Sequence, residues 1–299
     1  TLICGSSSRG VTSTANTPSR PANPQSSSPA MAKRANPSKK WKTPSAVSGL
    51  TRTDNHPVSQ IRRPLTRIAI GTAATTTAAF SGHARRLIAS GCRGIVALGS
   101  LGEGATLTFD EKVEVLRTLV ASVGDRVPVV AGISSLSTDE AVSLARAAAG
   151  AGCNGLMVLP PYVYQGDWPE MRAHVSAIIT ATPLSCMLYN NPIAYGTDFI
   201  PEHVRQLCEH ANLHAIKESS GDVRRITALR ALLGDRLALF VGLDDALLEG
   251  VAAGARGWVA GLVNALPDES VLLFEHAAAG RVAAARKLYD WFLPLLRMD

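Results

Sequence analysis

The 299-residue sequence lacks the marks of a secreted, membrane-spanning or metal-binding protein. Its five cysteines are scattered, with no Cys-x-x-Cys pair and no zinc spacing, which favours free thiols in a reducing compartment over a disulfide framework. No uninterrupted apolar run reaches the roughly 18 residues that a membrane span needs. The seven histidines form neither His-x-His nor His-Glu-x-x-His, so we expect no metal site.

Acidic residues are nearly absent from one end of the chain. Residues 1–67 hold eleven Lys or Arg and a single acid, Asp54, for a net charge of +10, so the remaining residues of a chain with net charge +6 carry −4. A basic surplus confined to one segment argues against a nucleic-acid or membrane partner for the rest. Nucleic-acid binding by that segment would instead show strong salt dependence, lost when the segment is removed.

Residues 1–66 also lack helix or strand periodicity. They contain eight of the 17 prolines and many Ser and Thr residues. Such a composition buries too little apolar surface to offset the entropy of ordering, so we predict a disordered basic tail over 1–66 and a folded domain over 67–299. The tail has three open interpretations: a genuine extension, an organellar transit peptide, or an artefact of an upstream reading frame. We expect a cytoplasmic protein, or an imported one if the second interpretation holds.

From about residue 83, short apolar runs alternate with amphipathic helical patterns. Thr108–Glu111 and Ser137–Glu140 match capping boxes, and Gly124, Gly150 and Gly234 are suitable helix ends. Seven runs predict strands: Gly94–Ser100, Val127–Ser134, Gly155–Pro161, Ser185–Pro192, His214–Ser219, Ala238–Asp244 and Gly257–Leu262.

This alternation predicts an α/β fold with a parallel sheet covered by helices. Doubly wound sheets and closed barrels both satisfy the pattern. Seven strands and one obscure strand favour a (β/α)8 TIM barrel. We expect the obscure first strand within Arg67–Phe80.

Reactive groups of a parallel barrel gather at the carboxyl ends of its strands. Lys217 lies in an otherwise apolar strand whose alternation points it into the barrel. Burying an ammonium is costly, and a neutral amine in a dry pocket attacks carbonyl carbons to form a Schiff base. The alternative is a lysine that reaches solvent from the strand end.

Other strand ends carry weaker signals. Tyr189 can move a proton, although an isolated tyrosine is more often a packed ring. The glycine-spaced turn 99–104 can present N–H groups to an anion, or serve only as a tight turn. Asp244 and Asp245 are interpreted mainly as the N-cap of a helix beginning at Ala246.

Four segments at these strand ends resemble the dihydrodipicolinate synthase / N-acetylneuraminate lyase family, the class I Schiff-base lyases on a (β/α)8 barrel. The segments are GSLGEGATLT (99–108), LYNNPIAYGTD (188–198), AIKESSGD (215–222) and GLDDALLEGVAAGARGWVAG (242–261). The resemblance covers roughly residues 79–299. It implies that Lys217 is the Schiff-base lysine, that Tyr189 is the proton shuttle, and that Ser100 links this tyrosine into a proton relay.

The resemblance also implies how substrate is held. The backbone around Ser100 and Leu101 would bind the substrate carboxylate, and Val259 would lie against the bound 2-oxo acid. Tyr162 matches a tyrosine that family members insert into a neighbouring subunit's site, which implies a homo-oligomer, a tetramer or dimer. Because the lysine supplies covalent catalysis, no cofactor is expected.

Two departures from the family's pattern narrow the range of activities that the resemblance implies. Leu101 stands where the synthase has a second threonine, and Ala194 stands where it has an arginine for the second substrate's carboxylate. These departures count against the synthase. The combination of LGSLGE, LPPYVY, YNNPIAYG, IKESSGD and GWVAG looks closer to the Δ1-pyrroline-4-hydroxy-2-carboxylate deaminases, which degrade hydroxyproline. The alternatives are 4-hydroxy-tetrahydrodipicolinate synthase, another pyruvate-dependent aldolase, or a catalytically silent barrel used as a binding module. The family's C-terminal helical region normally continues past Asp299, so we expect this region to be truncated.

Overall fold

The computed structural model describes residues 2–5, 73–161 and 163–298, whose strands form a closed barrel. The strands are β1 (Leu2–Gly5), β2 (Ile95–Ala97), β3 (Val129–Ile133), β4 (Gly155–Val158), β5 (Ser185–Asn190), β6 (Leu213–Glu218), β7 (Ala238–Val241) and β8 (Gly257–Ala260). Those from β2 to β8 run parallel in sequence order, as predicted. The α/β barrel prediction is confirmed.

Helices alternate with these strands. They are α1 (Ala73–Ala89), α2 (Phe109–Val123), α3 (Thr138–Gly150), α4 (Trp168–Thr180), α5 (Pro192–Tyr195), α6 (Pro201–Leu207), α7 (Arg224–Leu233), α8 (Leu247–Ala252), α9 (Pro267–Ala278) and α10 (Val282–Leu296). Short 3-10 turns at Ser100–Gly102, Asp244–Ala246 and Leu262–Asn264 follow β2, β7 and β8. No helix in the described part of the chain is both long and apolar enough to cross a membrane.

The eighth place in the barrel is filled differently from the sequence prediction. β1 pairs antiparallel with β8 along four residues and with β2 at Leu2 and Ile95. The prediction of disorder was therefore wrong for residues 2–5. Backbone pairing on both sides orders these residues, and a short apolar run followed by serines does not indicate such pairing. Residues 6–66 lie outside the described residues, so the domain division stays a prediction.

The prediction of a first strand within Arg67–Phe80 is also wrong for residues 73–80, the part of this stretch that the structure describes. α1 begins at Ala73 and continues through this stretch. Residues 73–80 are mostly Ala and Thr, and alanine is the best helix former, whereas a barrel strand needs larger side chains to pack on both faces. Residues 67–72 are outside the described part.

Helix boundaries follow the predicted capping chemistry. Thr108 and Glu111 form a complete capping box at the start of α2, and the Ser137 side chain accepts a bond from the Glu140 N–H at the start of α3. Gly124 and Gly234 are the C-caps of α2 and α7. Gly150 is itself the last residue of α3, one position before the cap.

Alternation along the strands divides the core into two layers. One layer fills the space between sheet and helices, with residues such as Ile216, Leu239 and Trp258. The other fills the barrel interior and consists of Val96, Val130, Met157, Leu159, Met187, Tyr189, Tyr195 and Val259. The interior layer positions the site described below.

Asp244 fixes the loop after β8 instead of capping a helix. Its buried carboxylate accepts hydrogen bonds from Trp258 Nε1 (2.9 Å), from the Gly261 N–H (3.1 Å to each oxygen) and from the Leu262 N–H (2.8 Å). The N-cap positions of the two helical turns that follow are Leu243 and Ala246. The N-cap interpretation was wrong because partners on another strand compete for the carboxylate.

Replacing Asp244 with Ala should lower the free energy of unfolding by about 3 kcal/mol, because buried donors lose a charged acceptor. The matched control is Asp245→Ala. Its side chain is partly exposed and lies 3.7 Å from Arg297, so a loss under about 1 kcal/mol is expected. Denaturant unfolding measures both, and equal losses would contradict the anchoring role.

Candidate active site

Lys217 lies inside the barrel, beside Tyr189 of the neighbouring strand. The two residues are register partners on β6 and β5, so both side chains point inward. Their exposed fractions are 6% and 5%, and Lys217 Nζ lies 4.0 Å from the centroid of the Tyr189 ring. The alternative of a lysine that reaches solvent is therefore wrong.

The next residues along the two strands face outward and bond to each other. Asn190 and Glu218 are also register partners, and Asn190 Nδ2 donates to Glu218 Oε2 at 3.1 Å. The same nitrogen donates to Asp198 at 3.2 Å, and Asn190 Oδ1 accepts from the Phe199 N–H at 2.9 Å. One amide thus joins both strands to the segment after α5.

One arginine pairs with a carboxylate of this outward network. Arg225 binds Asp198 with two bonds, of 3.1 and 2.6 Å. Burial raises the pKa of the Glu218 carboxyl, while hydrogen bonds from Ser220 and Asn190 and the charge of Arg225 oppose that rise. The network holds the ends of β5 and β6, where Tyr189 and Lys217 project inward.

The Tyr189 hydroxyl is oriented by the residue two positions later. Asn191 Nδ2 donates to the Tyr189 oxygen at 3.0 Å, and Asn191 Oδ1 accepts from the Ala194 N–H at the start of α5. Because the oxygen accepts this bond, the hydroxyl hydrogen of Tyr189 can serve another acceptor. Sequence reasoning missed this role of Asn191.

Ser100 is hydrogen-bonded to a different tyrosine from the predicted one. It lies exposed on the 3-10 turn after β2, and its hydroxyl bonds to the Tyr195 hydroxyl. The Tyr195 ring packs edge-on against the Tyr189 ring, with centroids 5.8 Å apart and planes at 79°. Tyr195 therefore contacts both Ser100, through its hydroxyl, and Tyr189, through its ring, a placement that the sequence did not suggest.

The turn after β2 is shaped by close backbone contacts. Leu98 has φ +58°, in the left-handed region. A Cβ at Gly104 or Gly132 would lie 2.4 or 2.7 Å from the Leu98 carbonyl oxygen, so both positions need glycine. The Gly102 N–H donates to the Gly99 carbonyl at 2.9 Å and is committed to the turn. Leu101 is 59% exposed at the mouth.

Of the two remaining residues predicted to bind substrate, the structure describes one, Val259. Val259 is fully buried on β8, in the same interior layer as Tyr189. Tyr162 lies outside the described residues, so its placement stays a prediction. Its neighbours Val163 and Tyr164 are strongly exposed.

Gly242, just after β7, leaves room for Lys217. A Cβ there would lie 2.8 Å from Lys217 Cε and 1.8 Å from Ser219 Oγ. Ser219 is buried, and its hydroxyl has no hydrogen-bond partner. Sequence reasoning missed both residues, although each belongs to a quoted segment.

Other reactive groups in the described part of the chain do not compete with Lys217. Cys153, Cys186 and Cys208 form no disulfide, and burial raises the pKa of Cys153 to about 11 and that of Cys186 to about 12, so the thiols of Cys153 and Cys186 stay protonated near neutral pH. No cluster of three or more His, Cys, Asp or Glu side chains suited to a metal ion occurs among the described residues.

A separate cavity of about 450 Å³ lies between α1, α2 and the end of β2. Leu101 and Leu262 line it, together with other mainly apolar residues, whereas Lys217 and Tyr189 do not. It offers neither the amine nor the phenol, so we place the chemistry in the barrel interior. There an amine and a chain of hydroxyls can supply nucleophilic and acid–base catalysis.

Known proteins are similar to this chain in sequence and in fold. The model of the dihydrodipicolinate synthetase family matches residues 73–298. The 4-hydroxy-tetrahydrodipicolinate synthase of Geobacter metallireducens is 35% identical over 202 residues, which is 68% of this chain and 70% of the relative.

Solved structures agree with this family match. That of 4-hydroxy-tetrahydrodipicolinate synthase from Methylacidiphilum fumariolicum SolV is 31% identical, with a TM-score of 0.72 over 74% of each chain. That of the Acinetobacter baumannii dihydrodipicolinate synthase complexed with pyruvate is 28% identical, with a TM-score of 0.71 over 74% of this chain and 76% of the other. The protein therefore belongs to the dihydrodipicolinate synthetase family and is a Schiff-base lyase of that family.

Proposed function

We propose that this lyase acts on a small 2-oxo or cyclic 2-imino acid through an imine at Lys217, and that its substrate is a Δ1-pyrroline-4-hydroxy-2-carboxylate. The observation that carries the proposal is the burial of Lys217 against the Tyr189 ring. A buried amine beside a phenol has the nucleophile and the proton carrier that imine chemistry needs.

Lys217 begins the proposed reaction by attacking C2 of the cyclic imine. The C2 bond to the ring nitrogen breaks, that nitrogen leaves as the amine on C5, and C2 becomes an iminium. Tyr189 then takes a proton from C3, and the resulting enamine expels the C4 hydroxyl as water. A proton then moves from C5 to C3, and the enamine formed at C4 and C5 takes a proton at C4, which leaves an iminium at C5. Hydrolysis at C5 and at C2 releases ammonia and the free lysine. Overall, substrate and one water give 2-oxoglutarate semialdehyde and ammonia.

The mouth of the barrel supports a substrate with one carboxylate. The turn at Ser100 and Leu101 is the proposed carboxylate site. Condensation of two carboxylate-bearing substrates needs a second anchor. The position that resemblance assigns to this anchor is Ala194, which is exposed in α5. A hydroxypyrroline carboxylate needs no such anchor.

The second candidate is 4-hydroxy-tetrahydrodipicolinate synthase, which is favoured by the names of the curated relatives. It would condense pyruvate with aspartate semialdehyde. A silent barrel used as a binding module, the alternative of another class, would form no imine. A homo-oligomer is proposed on the family resemblance alone.

Assays of the wild-type protein should distinguish the two enzymes. We expect ammonia release from the hydroxypyrroline carboxylate and negligible condensation of pyruvate with aspartate semialdehyde. Each is followed in a coupled assay on the same preparation. Robust condensation without ammonia release would assign the synthase activity instead.

Borohydride should trap an imine on Lys217, and Lys217→Ala should abolish trapping while turnover falls by 10²-fold or more. Mass spectrometry after reduction with pyruvate, and separately with the hydroxypyrroline carboxylate, identifies the modified residue. Lys112→Ala is the matched control, since Lys112 is also buried but pairs with Glu140 at 3.6 Å on the helical layer. Trapping that survives in Lys217→Ala would exclude this nucleophile.

Gly242→Ala should slow imine formation by roughly 10²-fold, because a misplacement of about 1 Å can cost that much. The added methyl overlaps Ser219 and the Lys217 stem. Gly150→Ala is the control, since nothing lies within 4 Å of a Cβ at Gly150. Trapping at the wild-type rate in a folded Gly242→Ala protein would show that Lys217 does not depend on this space.

A further inference from the structure

We propose that Tyr195 is a relay residue that carries the substrate's proton between Tyr189 in the barrel interior and Ser100 at the mouth. The inference rests on the proposed imine chemistry. It adds a group to that chemistry that the sequence did not suggest, and it draws all links of the relay from one chain.

The bond between Tyr195 and Ser100 crosses from the interior to the surface. Tyr195 is only 8% exposed and belongs to the interior layer, whereas Ser100 is exposed. Their hydroxyls are hydrogen-bonded to each other, although the residues lie 95 positions apart. Tyr189 and Lys217 are both buried, so a proton leaving them needs such a bridge.

Asn191 holds both tyrosines in place. Its side chain donates to the Tyr189 hydroxyl, and its carbonyl accepts from the Tyr195 N–H at 3.1 Å. The edge-on contact of the two rings follows from this arrangement. Tyr195 therefore contacts the ring of the proposed proton carrier and is hydrogen-bonded to the exposed serine.

The chemistry balances without another reactant. When an iminium becomes an enamine, the C3–H electron pair forms the C2=C3 bond and the π pair of C2=N returns to nitrogen. Tyr189 receives the C3 proton as its own hydroxyl proton passes to Tyr195. Tyr195 passes one proton to Ser100, and Ser100 passes one to water. Each hydroxyl gives one proton and gains one.

Exchange of the C3 protons of pyruvate in D₂O isolates this step, because it needs only imine and enamine. Proton NMR follows the exchange, and borohydride trapping on the same samples measures the imine. Tyr195→Phe keeps the ring and removes the hydroxyl. We expect exchange to slow by 10²-fold or more, within the range of acid–base residues, while the amount of trapped imine stays within about twofold of the wild type.

Ser100→Ala and the double variant test the link itself. If the two hydroxyls act in series, the double variant is no slower than the slower single variant, whereas independent losses multiply. Tyr289→Phe is the matched control, since Tyr289 is another buried tyrosine whose hydroxyl donates to the Asp245 carbonyl. It should exchange at the wild-type rate.

Each contrary outcome identifies its cause. Wild-type exchange in Tyr195→Phe, or multiplied losses in the double variant, overturns the relay and leaves the proposed function standing. If Tyr195→Phe lowers the amount of trapped imine as much as it lowers the exchange rate, Tyr195 has a packing role, and this result also overturns the relay. If Tyr195→Phe does not fold, Ser100→Ala decides, and unchanged exchange there overturns the relay. Absence of trapped imine in the wild type overturns the proposed function and the relay with it.

Discussion

The register between β5 and β6 is the constraint on which the site depends. It sets Tyr189 opposite Lys217 on the inner face and Asn190 opposite Glu218 on the outer face. Because side chains alternate along a strand, a slip of one residue would exchange the two faces and bury a different set of groups in the interior. The hydrogen bond between Asn190 and Glu218 opposes such a slip.

This register also separates the charged network outside the sheet from the amine inside the barrel. Outside the sheet, carboxylates and Arg225 form a network whose members are bonded to one another. Inside, Lys217 faces an aromatic ring and apolar side chains instead of a carboxylate. The fold thus places its acids where they stabilise strands and keeps them away from the amine.

Patterns within single segments of the sequence predicted those features that depend on one segment alone. Alternation along one strand was enough to predict that Lys217 points inward, and the capping residues were enough to predict where α2 begins. Contacts between distant segments were missed: the bond from Ser100 to Tyr195, and the anchoring of the β8 loop by Asp244. β1 was missed because its pairing partners, not its own composition, make it a strand.

The space at Gly242 has an evolutionary consequence. A side chain at this position meets Lys217 and Ser219 together, so a change here is tolerated only with compensating changes around the lysine. The mouth is different, because the side chains of Leu101 and Ile193 are largely exposed there. Descendants of this protein can therefore acquire new substrates by drift at the rim, while epistasis holds the positions beside the amine unchanged.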